Sequence, residues 1–152
     1  MNNHSNRKIV TTRTFNAPRE TVFSAWTNPE LLKRWWGPKG FTNTFHEFDL
    51  RPGGKWKFIM HGPDGGNYEN ESLFVEISEP VKVILDHISH PHFRLTATFE
   101  EAGSGKTKLI FEQLFETAEL YNKVKGFAVD GNEENMDRLE TVLTTKSLSE
   151  LN

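Results

Sequence analysis

Between residues 42 and 115 the chain is punctuated by Arg51-Pro52-Gly53-Gly54, Gly62-Pro63-Asp64-Gly65-Gly66, Ser78-Glu79-Pro80, His90-Pro91 and Ala102-Gly103-Ser104-Gly105. Each of these is a turn signal, and the stretches between them are rich in β-branched and aromatic residues. A parallel crossover needs a dozen or more residues, so strands this closely spaced must pair antiparallel. The segment therefore predicts a six-stranded meander, and whatever flanks it must cover one face of that sheet.

The flanks supply the cover. Residues 8–16, KIVTTRTFN, read as a further strand. Pro18 fits the first position of a helix with Val22, Phe23 and Trp26 as its apolar stripe, and Asn28-Pro29-Glu30 starts a second short helix that Gly37-Pro38 ends. After Thr117, a good N-cap, the period becomes helical: Leu120, Val124, Phe127 and Ala128 lead to Met136, Leu139, Val142 and Leu143. Gly126 and Gly131 interrupt this stripe, which leaves either two helices or one that something approaches closely at Gly131.

A length of 152 residues fits one domain, with an ordered core at about 8–145. Acidic and basic residues are interspersed, the net charge is −3, and no basic run is present to neutralise phosphates, so nucleic acid is not an expected partner. The N-terminus has no apolar signal region and nowhere do ~18 apolar residues follow one another, which predicts a cytoplasmic protein that does not enter a membrane. With no cysteine, disulfides, thiolate metal sites and cysteine nucleophiles are excluded.

Strand alternation assigns faces. Trp56, Phe58 and Met60 share one side, as do Phe93, Leu95, Ala97 and Phe99; Leu73, Val75 and Ile77; Val83 and Leu85; and Leu109, Phe111 and Phe115. Extended without bulges, the same parity puts Glu71, His87 and Gln113 on apolar inner faces, and Arg13 beside Ile9 and Phe15. Such groups need a partner, water in a cavity, or an open strand end; Arg13 paired with Glu71 is one solution, and polar anchors in an apolar pocket is the other. Asn132 and Asn135 pose the same choice on the last helix, between capping a break at Gly131 and lining a pocket.

Other motifs carry less. Gly103-Ser104-Gly105-Lys106-Thr107 lacks the first glycine of a phosphate-binding loop and precedes a strand, so it is a hairpin turn. His87, His90 and His92 diverge if Pro91 turns the chain, and no metal or cofactor is expected. His46, Asp49, His61, Glu71 and His87 are acid/base candidates, but no spacing forces two of them together, so no catalytic residue is assigned. Asp49 and Arg51 share one face, as a pair fixing the turn at Pro52-Gly53.

With R13-T-F-N-A-P18, A25-W-T-N-P-E30, W35-W36, D49-L-R-P-G-G54, P63-D-G65 and A128-V-D-G-N-E-E-N-M-D-R-L-E140, the chain resembles the bacterial single-domain relatives of the activator of the heat-shock-protein-90 ATPase. These lie in the START-like, Bet v-type helix-grip (SRPBCC) superfamily. The resemblance implies an α+β fold in which a curved seven-stranded antiparallel sheet wraps a long C-terminal helix, with two short helices between strands one and two. It also implies a cavity between helix and sheet. Many such relatives carry Trp after the mid-helix glycine, where this chain has Asn132.

The tryptophan pair then has a place. Adjacent helical residues point about 100° apart, so one ring packs with Leu31 or Leu32 while the other faces the cavity mouth or solvent, with Phe41 free to fold over it. The leading expectation is a ligand site for a small hydrophobic or aromatic molecule, with Trp35, Trp36, Phe41, Trp56, Phe58, Phe111 and Phe127 as walls and rim, and Glu71, His87, Gln113, Asn132 and Asn135 as polar anchors. One alternative is an interaction module with an exposed apolar patch for a chaperone ATPase or a homodimer partner. A third is a cyclase or hydrolase built on Glu71 and His87 converging in the cavity.

Overall fold

The computed structural model describes residues 6–145. Strand β1 (Lys8–Phe15) is followed by helices α1 (Arg19–Thr27) and α2 (Pro29–Trp35), then by β2 (Thr42–Phe48), β3 (Lys55–His61), β4 (Asn67–Ser78), β5 (Lys82–His87), β6 (Phe93–Glu101) and β7 (Thr107–Phe115), and finally by α3 (Ala118–Thr145). The seven strands form one sheet in the order β1-β7-β6-β5-β4-β3-β2, every neighbouring pair antiparallel. This is the helix-grip arrangement: meander, returning first strand, two short helices, and a long helix on the inner face.

Local chemistry explains the boundaries. Asn28 caps α2, its Oδ1 accepting from the Glu30 amide at 3.0 Å, and Thr117 caps α3 through the Leu120 amide at 3.0 Å. Pro18 sits one residue earlier than the pattern places it, as the N-cap of α1, where its carbonyl accepts from Thr21 and Val22. At the β2–β3 turn a Cβ on Gly54 would lie 2.0 Å from the Asp49 carbonyl oxygen, so only glycine fits; Asp49 there accepts two bonds from Arg51 Nε, at 2.9 and 3.0 Å. The α3 stripe resolves as one continuous helix, with Gly131 facing Pro38.

Two bulges change the parity. In β2 the register slips between Phe45 and Glu47, and in β4 between Phe74 and Glu76. Each extra residue lets side chains three apart share the inner face: Phe45 with Phe48, and Phe74 with Ile77. Unbroken alternation through β4 therefore fails before the bulge. Phe74, Ser72 and Asn70 turn inward; Val75 is exposed and Glu71 lies on the outer face.

The core is aromatic. Trp26, Trp35, Phe99 and Phe111 meet below α1 and α2, with Trp26 and Trp35 at 5.1 Å edge to face; Trp56 stacks on Phe58 at 4.4 Å and on Phe74 at 6.3 Å. The main contacts of α3 are with β1, β7, α1 and α2. It has no comparable contact with β3, β4, β5 or β6, and a space remains between those strands and residues 124–135 of the helix.

Candidate functional site

That space is a recess of about 230 Å³ between α3 and the inner face of the sheet. Inward positions of successive strands wall it: Phe58 and Met60 from β3, Asn70 and Ser72 from β4, Leu85 and His87 from β5, Phe93 from β6, and Phe111, Gln113 and Phe115 from β7. The helix closes it with Val124, Phe127, Ala128, Gly131, Asn132 and Asn135, a set at helical spacing on one face. Trp36, Gly37 and Pro38 complete the rim from the segment after α2.

The polar groups in this wall are neutral. His87 is 8% exposed; its Nδ1 donates to the Pro91 carbonyl oxygen at 2.7 Å, and its Nε2 lies 2.7 Å from Asn70 Oδ1. Burial holds its pKa below the ordinary imidazole value, with the nearby His92 and His90 adding to this and the Pro91 carbonyl opposing it. Across the recess Asn132 Nδ2 donates to Gln113 Oε1 at 2.7 Å, tying helix to β7. One turn on, Asn135 is 5% exposed and its Oδ1 is buried with no hydrogen-bond partner among the described residues.

Of the residues singled out in the sequence, Trp36, Phe58, His87, Phe111, Gln113, Asn132 and Asn135 meet in this recess. Phe127 reaches it only from the rim, where it is 68% exposed. Trp35 is fully buried core, its indole Nε1 donating to the Ala25 carbonyl oxygen at 3.0 Å. Trp56 is core as well, behind Phe58, and Phe41 packs against Tyr68 outside the recess. Glu71, displaced by the β4 bulge, faces Lys55 at 3.7 Å. An acid/base pair with His87 is therefore not assembled, and the enzyme reading loses its support. Arg13 meets Glu133, Asp137 and Glu140 of α3, at 3.0, 3.0 and 3.3 Å, and not Glu71. The three histidines diverge, His92 facing Glu116 at 3.4 Å; among the described residues no group of three metal-ligating side chains comes together.

Sequence reasoning missed Asn70, Ser72 and Arg138. The uninterrupted Leu73-Phe74-Val75 was the available signal for the first two, since a half-buried strand cannot alternate through three apolar residues without a residue out of step. Arg138 reads as an exposed helix charge, yet its Nη1 donates to the carbonyl oxygens of Trp36, Gly37 and Pro38 and its Nη2 to those of Arg34 and Phe41, at 2.9 to 3.2 Å. It pins the rim segment to the helix that bears Asn132 and Asn135. No local pattern announces such a contact.

The family described as activator of Hsp90 ATPase homolog 1-like proteins matches residues 16–144. Among solved structures, a protein from Nitrosomonas europaea is similar at 22% identity and a TM-score of 0.86, covering 94% of this chain and 97% of that one. A protein from Arthrobacter aurescens matches at 23% identity and a TM-score of 0.86, covering 95% and 90%. An AHSA1 protein from Silicibacter pomeroyi matches at 18% identity and 0.73, covering 91% and 99%. At these identities the likeness is one of fold. No curated protein matches the chain, and among the described residues no helix is long and apolar enough to cross a membrane.

Proposed function

The chain belongs to the family of activator of Hsp90 ATPase homolog 1-like proteins, and from that premise we propose that it binds a small hydrophobic or aromatic molecule in the recess between α3 and the sheet. The observation that carries this is the composition of the wall. Six aromatic rings and several aliphatic side chains surround a space of about 230 Å³, and no Lys, Arg, Asp or Glu side chain lines it. An apolar pocket with a few convergent polar groups is the usual form of a small-molecule site. A tightly packed interior would leave no such void, because cores are filled to crystal-like density.

Native mass spectrometry of the purified protein, with solvent extraction and a thermal-shift screen against apolar arenes and lipids, tests the proposal. A co-purifying apolar molecule, or a melting temperature that rises in proportion to the logarithm of added arene, is the expected result. A flat response across the panel removes it. Among the described residues the large exposed apolar side chains are Val10, Tyr68, Val75, Val81, Ile88, Phe127 and Val129, which come from β1, β4, α3 and the connections on either side of β5. Nothing in their placement favours a chaperone-docking patch over an enclosed ligand.

A further inference from the structure

The polar side chains of the recess narrow the chemistry of its occupant; this inference rests on the recess being a ligand site. Charge is disfavoured first. His87 is the one titratable group in the wall, and burial favours its neutral form. A carboxylate or ammonium drawn into this space would give up its hydration with no counter-charge to replace it.

The hydrogen-bonding hands come next. Gln113 and Asn132 each use one end of the amide on the other, and a primary amide keeps a second end for another partner. Asn135 lines the same side, but its Oδ1 has almost no accessible surface, so an occupant of the recess does not reach it. What the wall offers is the acceptor Asn132 Oδ1 and the donor Gln113 Nε2, the two amide ends that their mutual bond leaves over. A hydroxyl group, donor and acceptor at once, matches both.

Shape is set by the rings. Trp36, Phe58, Phe93 and Phe111 offer faces and edges to a planar guest. A void of about 150 Å³ takes benzene, so a recess of about 230 Å³ has room for a two-ring arene.

We propose that the recess takes an uncharged, two-ring aromatic alcohol of the phenol class, with its hydroxyl donating to Asn132 Oδ1 and accepting from Gln113 Nε2, and its rings among the aromatic walls. The test is a matched series: 2-naphthol, naphthalene and 2-naphthoate, each titrated into the full chain and followed by the indole N–H resonances in NMR. Naphthol is expected to bind at least tenfold more tightly than naphthalene, and naphthoate more weakly than either. In Asn132→Leu the affinity for naphthol falls to that for naphthalene, which still binds. Equal affinities for naphthol and naphthalene in the wild type, or preference for naphthoate, overturn the assignment of the hydroxyl while leaving the apolar site standing. Binding of none of the three removes both. The wild-type series decides the matter even if the variant fails to fold.

Discussion

His87 stands between two acceptors, the Pro91 carbonyl oxygen at Nδ1 and the Asn70 amide oxygen at Nε2, each at 2.7 Å. A protonated ring donates to both; a neutral ring that donates to Pro91 leaves its lone pair facing the Asn70 oxygen. Ser89 Oγ, 3.4 Å from Nε2, is the donor in reach of the neutral form. Burial outweighs the acceptors and lowers the pKa, so the unfolded chain takes up the proton first. The contribution to stability is thus whole above the ordinary value of 6.5 and is lost as the pH falls through the folded-state value. Replacing Asn70 by Leu removes one acceptor, and the His87 midpoint, read from its Cε1–H resonance, is expected to move lower still. A midpoint that stays or rises would mean that Asn70 does not stabilise the charged ring. At this scale the sequence was half legible. His87 and Gln113 lie on strands without bulges and alternation located them, whereas Asn70 lies on the far side of the β4 slip, and Glu71 took its place in the count.

Helix α3 serves as both a wall and an anchor. Its carboxylates Glu133, Asp137 and Glu140 receive Arg13 from β1, and its Arg138 gathers five carbonyl oxygens from residues 34–41. Burial lowers the Arg138 pKa, but a guanidinium remains charged across the physiological range. Arg138→Met would remove these five bonds, leaving Trp36 O with only Asn43 Nδ2 and Pro38 O with only the Phe41 amide, and loosen the rim that Trp36, Gly37 and Pro38 contribute. We expect a loss of about 3 kcal/mol, by the usual worth of charge-assisted bonds and the penalty of unpaired buried acceptors. Faster amide exchange confined to residues 34–41 and their helix contacts would identify the mechanism. A stable variant with unchanged exchange would show that the contacts contribute little. The glycines of the same helix predict an opposite sign: a Cβ on Gly126 meets nothing within 4 Å. Gly126→Ala should therefore raise stability by up to about 1 kcal/mol in chemical denaturation, through backbone entropy alone. The ends of this helix were readable from Thr117 and the stripe, but its continuity through two glycines was not, because tertiary packing on both sides of the interruption outweighs local propensity.

On the scale of the whole molecule, turn spacing dictated the antiparallel meander, and the switch to a helical period dictated the cover. The residual space could not be read from those patterns, since they say which way side chains point and not whether the facing surfaces touch. It arises because α3 leans on β1, β7, α1 and α2 and has no comparable contact with the middle strands. Ala128, half-buried at the recess, tests this geometry directly. Ala128→Phe places a ring of about the size of benzene in a space that exceeds the ~150 Å³ known to accept one. If the space is open, the ring buries apolar area that offsets its packing strain, and unfolding free energy should hold or rise by about 1 kcal/mol. Arene binding should then weaken at least tenfold, because the occupant and the new ring compete for one volume. A destabilisation above about 2 kcal/mol would instead be the signature of overpacking, and of a helix that already fills its seat. Undiminished binding with a stable fold would move the ligand out of the recess to the shallower groove beyond His87, Phe93 and Phe115, the side chains that separate the two spaces.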